Sequence, residues 1–516
     1  MKCKKLMALL LAATLTASAG SGVVLADTYS DTEKDLFAES LSTFITQYQQ
    51  ELVSRDGLAS GVHADLELQL TDTGRALAGL AAAMNLSWLE NVGLGYDVSF
   101  ADGMEAVVAD VTLNGSKICS LEVYMNLETL ETYVRIPELN DAYLMADTSG
   151  GEEIPEAVRA YLDSMSDPAA LLPDSQLLED VLNRYSEILF EGFNESISGK
   201  ETISLHGIEA ACTTLEGQMY QEDAVAFAQE LLTIFRDDEP LQEFIGTWTA
   251  LDPELEESYD EFLDSLDDTL DSLEYDPETE DGSYISSKIW LDEDKQIIGR
   301  QFSLCSDSMT IPLVTWLAPS TEEASGFSLL LNSDDSTIEL YGSGTITDAK
   351  LTGTYALALD GVDLAVIDIV DADKAGNGSC KLRLTEGIGN DYYRYLGSLS
   401  MILDYASGAD GLENLALTAA ASDVPIVTLS ISGEMTDPLE IPDFASLPNV
   451  LDAASDADTL TYLMEMNWIP ILENCIAAGM PEELASMIDQ YLYNAIYEVE
   501  FDSESYDFYE LESEDF

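Results

Sequence analysis

Residues 350–361 read KLTGTYALALDG. Side chains of an extended chain alternate between two faces, so Leu351, Tyr355, Leu357 and Leu359 share one side. Asp360-Gly361 follows at once, a dipeptide that tolerates the positive φ angles of a tight hairpin. An amphipathic strand ending in a reversal is the unit of an antiparallel meander. The same signals recur from Ser283 to about Glu440, which reads as nearly all β, with Asn377-Gly378 as a further hairpin signal.

The pattern reappears nearer the N-terminus. Ala64 to Leu70 alternates like a strand. Further strands are expected over 96–100, 105–113, 118–127 and 131–136, with Asp102-Gly103 and Asn114-Gly115 as hairpin turns. Tyr124 and Tyr133 fit exposed or half-buried positions on them. A shorter strand pair is expected over 201–214.

Helices surround these strands. Ser30 to Glu33 fits a capping box, followed on one face by Leu36, Phe37, Leu41, Phe44, Ile45, Tyr48 and Leu52. Helix is also expected over 73–84, over 155–195 in pieces divided by Pro155, Pro168 and Pro173, and over 223–235. The acidic stretch 252–280 keeps helical spacing at Leu255, Phe262, Leu266, Leu270 and Leu273. After a linker marked by Pro438, Pro442 and Pro448, residues 449–498 read as helix broken at Pro470 and Pro481.

The fold class is therefore α+β: antiparallel β-meander sheets covered by helices, with a helical C-terminal segment. Six segments follow. They are a signal peptide (1–26), a helix plus meander (27–150), a mostly helical segment (151–282), an antiparallel β segment (283–440), a helical segment (441–498) and an acidic tail (499–516).

Charge restricts the partners. The chain holds 20 Lys+Arg against 99 Asp+Glu, a formal net charge of −79, and no Lys or Arg follows Arg394. Nucleic acid and anionic membrane surfaces are excluded, because both are bound through Lys and Arg. Cations and basic proteins remain as partners. Lys2, Lys4 and Lys5 precede an apolar run from Leu6 to Ala19, and Val24-Leu25-Ala26 resembles a signal-peptidase site, so the chain is expected to be secreted or held at the cell surface.

Catalytic signals are sparse. His63 and His206 are the two histidines of the chain, and neither lies in a G-x-S-x-G or H-E-x-x-H setting. With 99 carboxylates, acid pairs carry no information about glycoside hydrolysis. Cys119, Cys212, Cys305, Cys380 and Cys475 are dispersed and fit neither zinc spacing nor a disulfide framework. Asp371, Asp373, Gly376 and Asn377 match the first half of an EF-hand-like loop. Ala375 and Leu382 stand where two calcium ligands are needed. Asp371, Asp373 and Asn377 are the candidate metal ligands, with calcium as the candidate ion; no other cofactor and no catalytic residue is assigned.

The element order over 60–145, with the stretch Leu121-Glu122-Val123-Tyr124-Met125-Asn126-Leu127-Glu128, resembles the lipoprotein-carrier-like half-barrel, a curved antiparallel sheet with helices over its concave side. The whole chain resembles uncharacterised acidic secreted proteins of Gram-positive anaerobes, a likeness that implies no activity. The expected function is that of an exported, non-enzymatic binding protein holding an apolar small molecule or lipid in a sheet-helix groove. The alternatives are a secreted, glycan-directed hydrolase working through carboxylates and an acidic surface protein with weak calcium binding.

Overall fold

The computed structural model describes residues 28–56, 61–147 except 102, parts of 176–193, 195–242 except 240, 253–273, and 282–501 except 307, 334–335 and 408–412. The expected signal peptide, most of the helix over 155–195 and the tail from 502 onward lie outside the described residues.

The chain opens with helix α1 (Tyr29–Asp56), strand β1 (Val62–Leu70) and helix α2 (Asp72–Ala82). Strands β2 (Asn91–Ala101), β3 (Met104–Leu113), β4 (Ser116–Asn126), β5 (Glu131–Arg135) and β6 (Tyr143–Asp147) follow. Then come β7 (Glu195–Leu205), β8 (Ile208–Tyr220), α3 (Gln221–Asp237) and α4 (Pro253–Ser272). A long meander runs through β9 (Tyr284–Leu291), β10 (Ile297–Ser306), β11 (Met309–Leu317), β12 (Ala324–Asn332), β13 (Thr337–Thr347), β14 (Lys350–Leu359), β15 (Val362–Ala372) and β16 (Gly378–Leu384). After helix α5 (Asn390–Leu396) it resumes with β17 (Leu399–Ser407), β18 (Glu413–Ala421) and β19 (Val424–Met435). The short β20 (Val450–Asp452) and helices α6 (Asp456–Glu465), α7 (Ile469–Ala477) and α8 (Glu482–Phe501) complete the described elements. With 49% of residues in strands, 29% in helices and almost wholly antiparallel pairing, the class is α+β.

Contacts divide the chain into two compact units, each built from two stretches: Met1–Ala59 with Glu153–Asp423, and Ser60–Glu152 with Val424–Phe516. In the first, β7 to β18 pair in chain order, every pair antiparallel. The turn chemistry explains the order. His206-Gly207, Asp348-Ala349 and Asp360-Gly361 are consecutive positive-φ pairs, which twist a two-residue turn in the sense the strands need. Asp360-Gly361 behaves as its sequence suggests. Asn377-Gly378 does not make the reversal itself. The chain turns at Asp373–Gly376, with Gly376 at φ 83°.

Helix α1 packs its N-terminal half on this sheet. Tyr29 and Leu36 join Leu215, Met219, Ile289, Phe302 and Val314 in one buried cluster. Glu33 caps nothing. Thr28 takes the capping position, accepting from Asp31 N at 3.3 Å, and Glu33 is fully buried against Arg300, with oxygen–nitrogen distances of 2.5 and 2.7 Å. A Cβ on Gly217 would overlap the Tyr29 ring, so this glycine permits the close seating of α1. On the opposite sheet face Ile203, Cys212, Trp290 and Ile298 form a second cluster. There β7 also touches β12, and His206 stacks on Tyr341 at 5.8 Å.

In the other unit the order is β19-β1-β2-β3-β4-β5-β6, antiparallel, with β20 added parallel to β6. Thr71 caps α2 by accepting from Gly74 N and donates to Pro425 O at 2.7 Å, fixing the helix beside β19. Asn114, in the left-handed conformation at the β3–β4 turn, donates to Trp88 O and Ala478 O. Tyr124 is buried, contrary to the exposed or half-buried position expected, because Phe444 and Tyr143 close over it. Phe444 belongs to the proline-marked linker, whose Leu439, Ile441, Phe444 and Leu447 pack onto the sheet.

Candidate functional site

Register across β11 to β18 lines up one apolar face. Trp316 opposes Leu329, Leu329 opposes Leu340, and Leu340 opposes Leu357. The row continues through Ala365, Leu384 and its neighbour Leu382, Met401 and Ala419. Directly paired residues point to the same side, so these rows share a face. The other face carries Thr354, Asp368, Lys381 and Arg383, with Arg383 paired to Asp368 at 2.6 Å.

Near Trp316 and Leu329 this face is packed against the cluster under α1. Farther along it is open. Ile338 is 43%, Val362 50%, Leu399 40% and Met401 47% exposed. Across the seven strands β12 to β18 this face spans about 29 Å by 26 Å, on the order of 700 Å² in all, covered at Leu329, Tyr355 and Ala365 and exposed at Leu331, Ile338, Leu359, Val362, Leu399 and Met401. Apolar areas of this kind on a protein surface mark contact sites for partners or ligands.

Local sequence shapes the face. Gly344 and Gly353 are directly paired, and a Cβ on either would overlap the opposite strand, so the backbones approach closely there. Tyr355 lies over Gly342 and is buried, edge-on to Phe327 at 6.4 Å. The expected Leu351–Tyr355–Leu357–Leu359 alternation holds along the whole strand, in unbroken register with Ile346, Gly342, Leu340 and Ile338, and the bulge opposite Leu357 and Ala358 puts its extra residue on β15. Ala358 is buried and Leu359 is 38% exposed.

The second unit has a comparable apolar face, where Leu66 opposes Leu94, Leu94 opposes Val111, and Ala64 opposes Tyr96. Leu68, Val92, Leu94 and Tyr96 are exposed on it, while Leu113 is covered by Ala478 and its α7 neighbours Ile471 and Cys475. A depression of about 710 Å³ opens along α2 and the turn after it, walled by Arg75, Leu80, Met84 and Leu86.

The residues with chemical potential are held in structural pairings. His63 Nδ1 lies 2.9 Å from Asp97 and Nε2 lies 3.3 Å from Asp65. Burial alone would lower its pKa, but the hydrogen bond to Asp97 and the charges of Asp97 and Asp65 outweigh it and raise the value above 6.5. A ring held between two carboxylates favours the imidazolium, a poor general base. Because the folded pKa is raised, His63 adds stability fully below pH 6.5, and this is lost as pH rises through the folded value. His63→Gln is therefore expected to melt below the wild type at pH 5.5, with the gap shrinking by pH 8.5. An equal gap at both pH values would refute this.

Asp371, Asp373 and Asn377 are brought together at the β15–β16 turn. The Asp373 carboxylate accepts from Ala375 N at 2.9 Å, Asn377 N at 3.0 Å and Asn377 Nδ2 at 3.1 Å. Backbone donation from Asn377 is the leading cause that holds its pKa low. Asp371 takes a left-handed backbone and donates its N–H to Thr352. Most of these donors fall on Asp373 Oδ1, and Asn377 Nδ2 also reaches Oδ2 at 3.1 Å. Among the described residues no group of three or more His, Cys, Asp or Glu side chains is placed to hold a metal ion.

Glu105 is pushed up by burial, with no second carboxylate contributing. Cys119, Cys212, Cys305, Cys380 and Cys475 are all free thiols. Sequence reasoning did not single out the open face. Its signal was the alternation itself, repeated strand after strand. No protein-family model matches this chain, and no curated protein or solved structure is significantly similar to it.

Proposed function

We propose that this protein is an exported, non-enzymatic binding protein whose open sheet face takes up the apolar part of an amphiphilic ligand or partner segment. The observation that carries the reading is the apolar row through Leu340, Leu357, Leu382 and Met401, open to solvent along its outer strands. Apolar surface left in water is unfavourable by about 25 cal/mol per Å², so a ligand covering it gains that free energy. The finer architecture in this reading is a half-barrel-like trough, helix-covered at the α1 end and open at the other. The basic residues Lys2, Lys4 and Lys5 before an apolar run support export.

The test is titration of the full chain with an uncharged naphthylamine probe that fluoresces in apolar surroundings. Leu403 is 37% exposed on the open face, and Val370 is 45% exposed on the other. Leu403→Asp is expected to weaken probe binding at least tenfold, and Val370→Asp to leave it unchanged. Equal binding by wild type and Leu403→Asp, together with no ligand in native mass spectra of the purified protein, would sink the reading.

A further inference from the structure

We infer that the occupant of the β12–β18 face is a cationic amphipathic helix, one whose leucine-type stripe is bordered on both sides by lysine or arginine. This rests on the open face being a binding surface and names what it binds. Three observations carry it. The first is the dimension across the strands. The roughly 29 Å from β12 to β18 is the length of a helix of about 19 residues, and the face is wide enough for a helix with its flanking side chains.

The second is where the acids sit. Strands alternate direction, so their turns fall in two rows, one along each border of the apolar face. One border carries Glu322, Glu323, Asp348, Asp371 and Asp373, with Lys350 and Lys374 among them. The other carries Asp360, Glu386 and Asp391, with Arg394 among them. Lys381 and Arg383 are engaged on the opposite face by Asp423 and Asp368. An apolar strip between two acidic borders is the complement of an apolar stripe between two basic ones.

The third is the far field. A net charge of −79 repels an anionic lipid head and repels a second copy of this chain, whereas it accelerates the approach of a cation. A neutral lipid would cover the strip but make no use of either border.

The experiment uses three labelled 18-residue peptides titrated against the full chain at 150 mM salt. One is a leucine/lysine amphipathic helix, one is its scramble with the same composition, and one has glutamate in place of lysine. The expected result is that the amphipathic lysine peptide binds at least tenfold more tightly than the scramble and that the glutamate peptide does not bind. Met401→Asn and, on a different strand, Ile338→Asn are each expected to lower that affinity at least threefold, with Val370→Asn unchanged. Equal affinity for helix and scramble would reduce the effect to bulk charge attraction and overturn the inference. If the uncharged probe binds but the lysine helix has no advantage, the inference fails and the binding reading stands; if neither binds, both fail.

Discussion

Replacing Arg300 by methionine is expected to destabilise the unit containing β7 to β18 by about 3–5 kcal/mol. Arg300 is 1% exposed and Glu33 fully buried, 2.5 Å apart at their closest. Burial would lower the arginine's pKa, and the Glu33 charge reverses that and raises it, so the guanidinium stays charged. Tyr29, one turn before Glu33, donates to Ser287 at 2.5 Å, and burial pushes its phenol well up. Removing the arginine strands a carboxylate in a dry site beside that phenol. Urea titration followed by far-ultraviolet circular dichroism measures the loss. The double variant Glu33→Leu/Arg300→Met is expected to recover most of it, because two apolar groups leave no unpaired charge. A single variant within 0.5 kcal/mol of wild type would show that the pair is incidental to the seating of α1.

Phe444→Ala is expected to destabilise the other unit by about 3 kcal/mol. Phe444 stacks on Tyr133 at 3.9 Å and meets Tyr124 and Tyr143 edge-on at 5.4 and 5.2 Å. It is the anchor by which the proline-marked linker grips the sheet. Beneath it Tyr143 donates to Glu122, which also holds Arg135 through two nitrogens. Burial and that hydrogen bond push the Tyr143 phenol far up. Losing the Phe444 ring exposes this polar pair to water and frees the linker between Met435 and Val450. Limited proteolysis should cut the variant there at least tenfold faster than the wild type. Cleavage at the wild-type rate would mean that Leu439 and Ile441 hold the linker without the ring.

The strands were legible where alternation ended in a residue suited to positive φ, as at Leu359-Asp360-Gly361 and Leu113-Asn114-Gly115. Asp348-Ala349 was not legible, because alanine carries a Cβ that disfavours the left-handed region and gives no turn signal. The five-residue β6 is too short to show a period, and it is held by pairing to β5 and β20. Glu33 fitted a local capping rule in sequence, but nothing local could show that its carboxylate meets Arg300, 267 residues away. Tyr124 misled for the same reason, since Phe444 covers it from a distant linker. The three candidate metal ligands could be located from spacing, but not the fact that Asn377 would donate to Asp373. The open face was implied by every alternating strand. Alternation states which side is apolar and leaves unstated what lies over it.

The pairing of β1 with β19 also sets a clock. Thr71 meets Pro425 across 354 residues of chain. At a synthesis rate of about 5–20 residues per second, the partner strand of β1 emerges roughly 18–70 s after β1 itself. Through that interval one edge of the nascent sheet has nothing to pair with. A chaperone, or passage through a translocase before folding, would protect a chain whose first strand must wait for nearly its last.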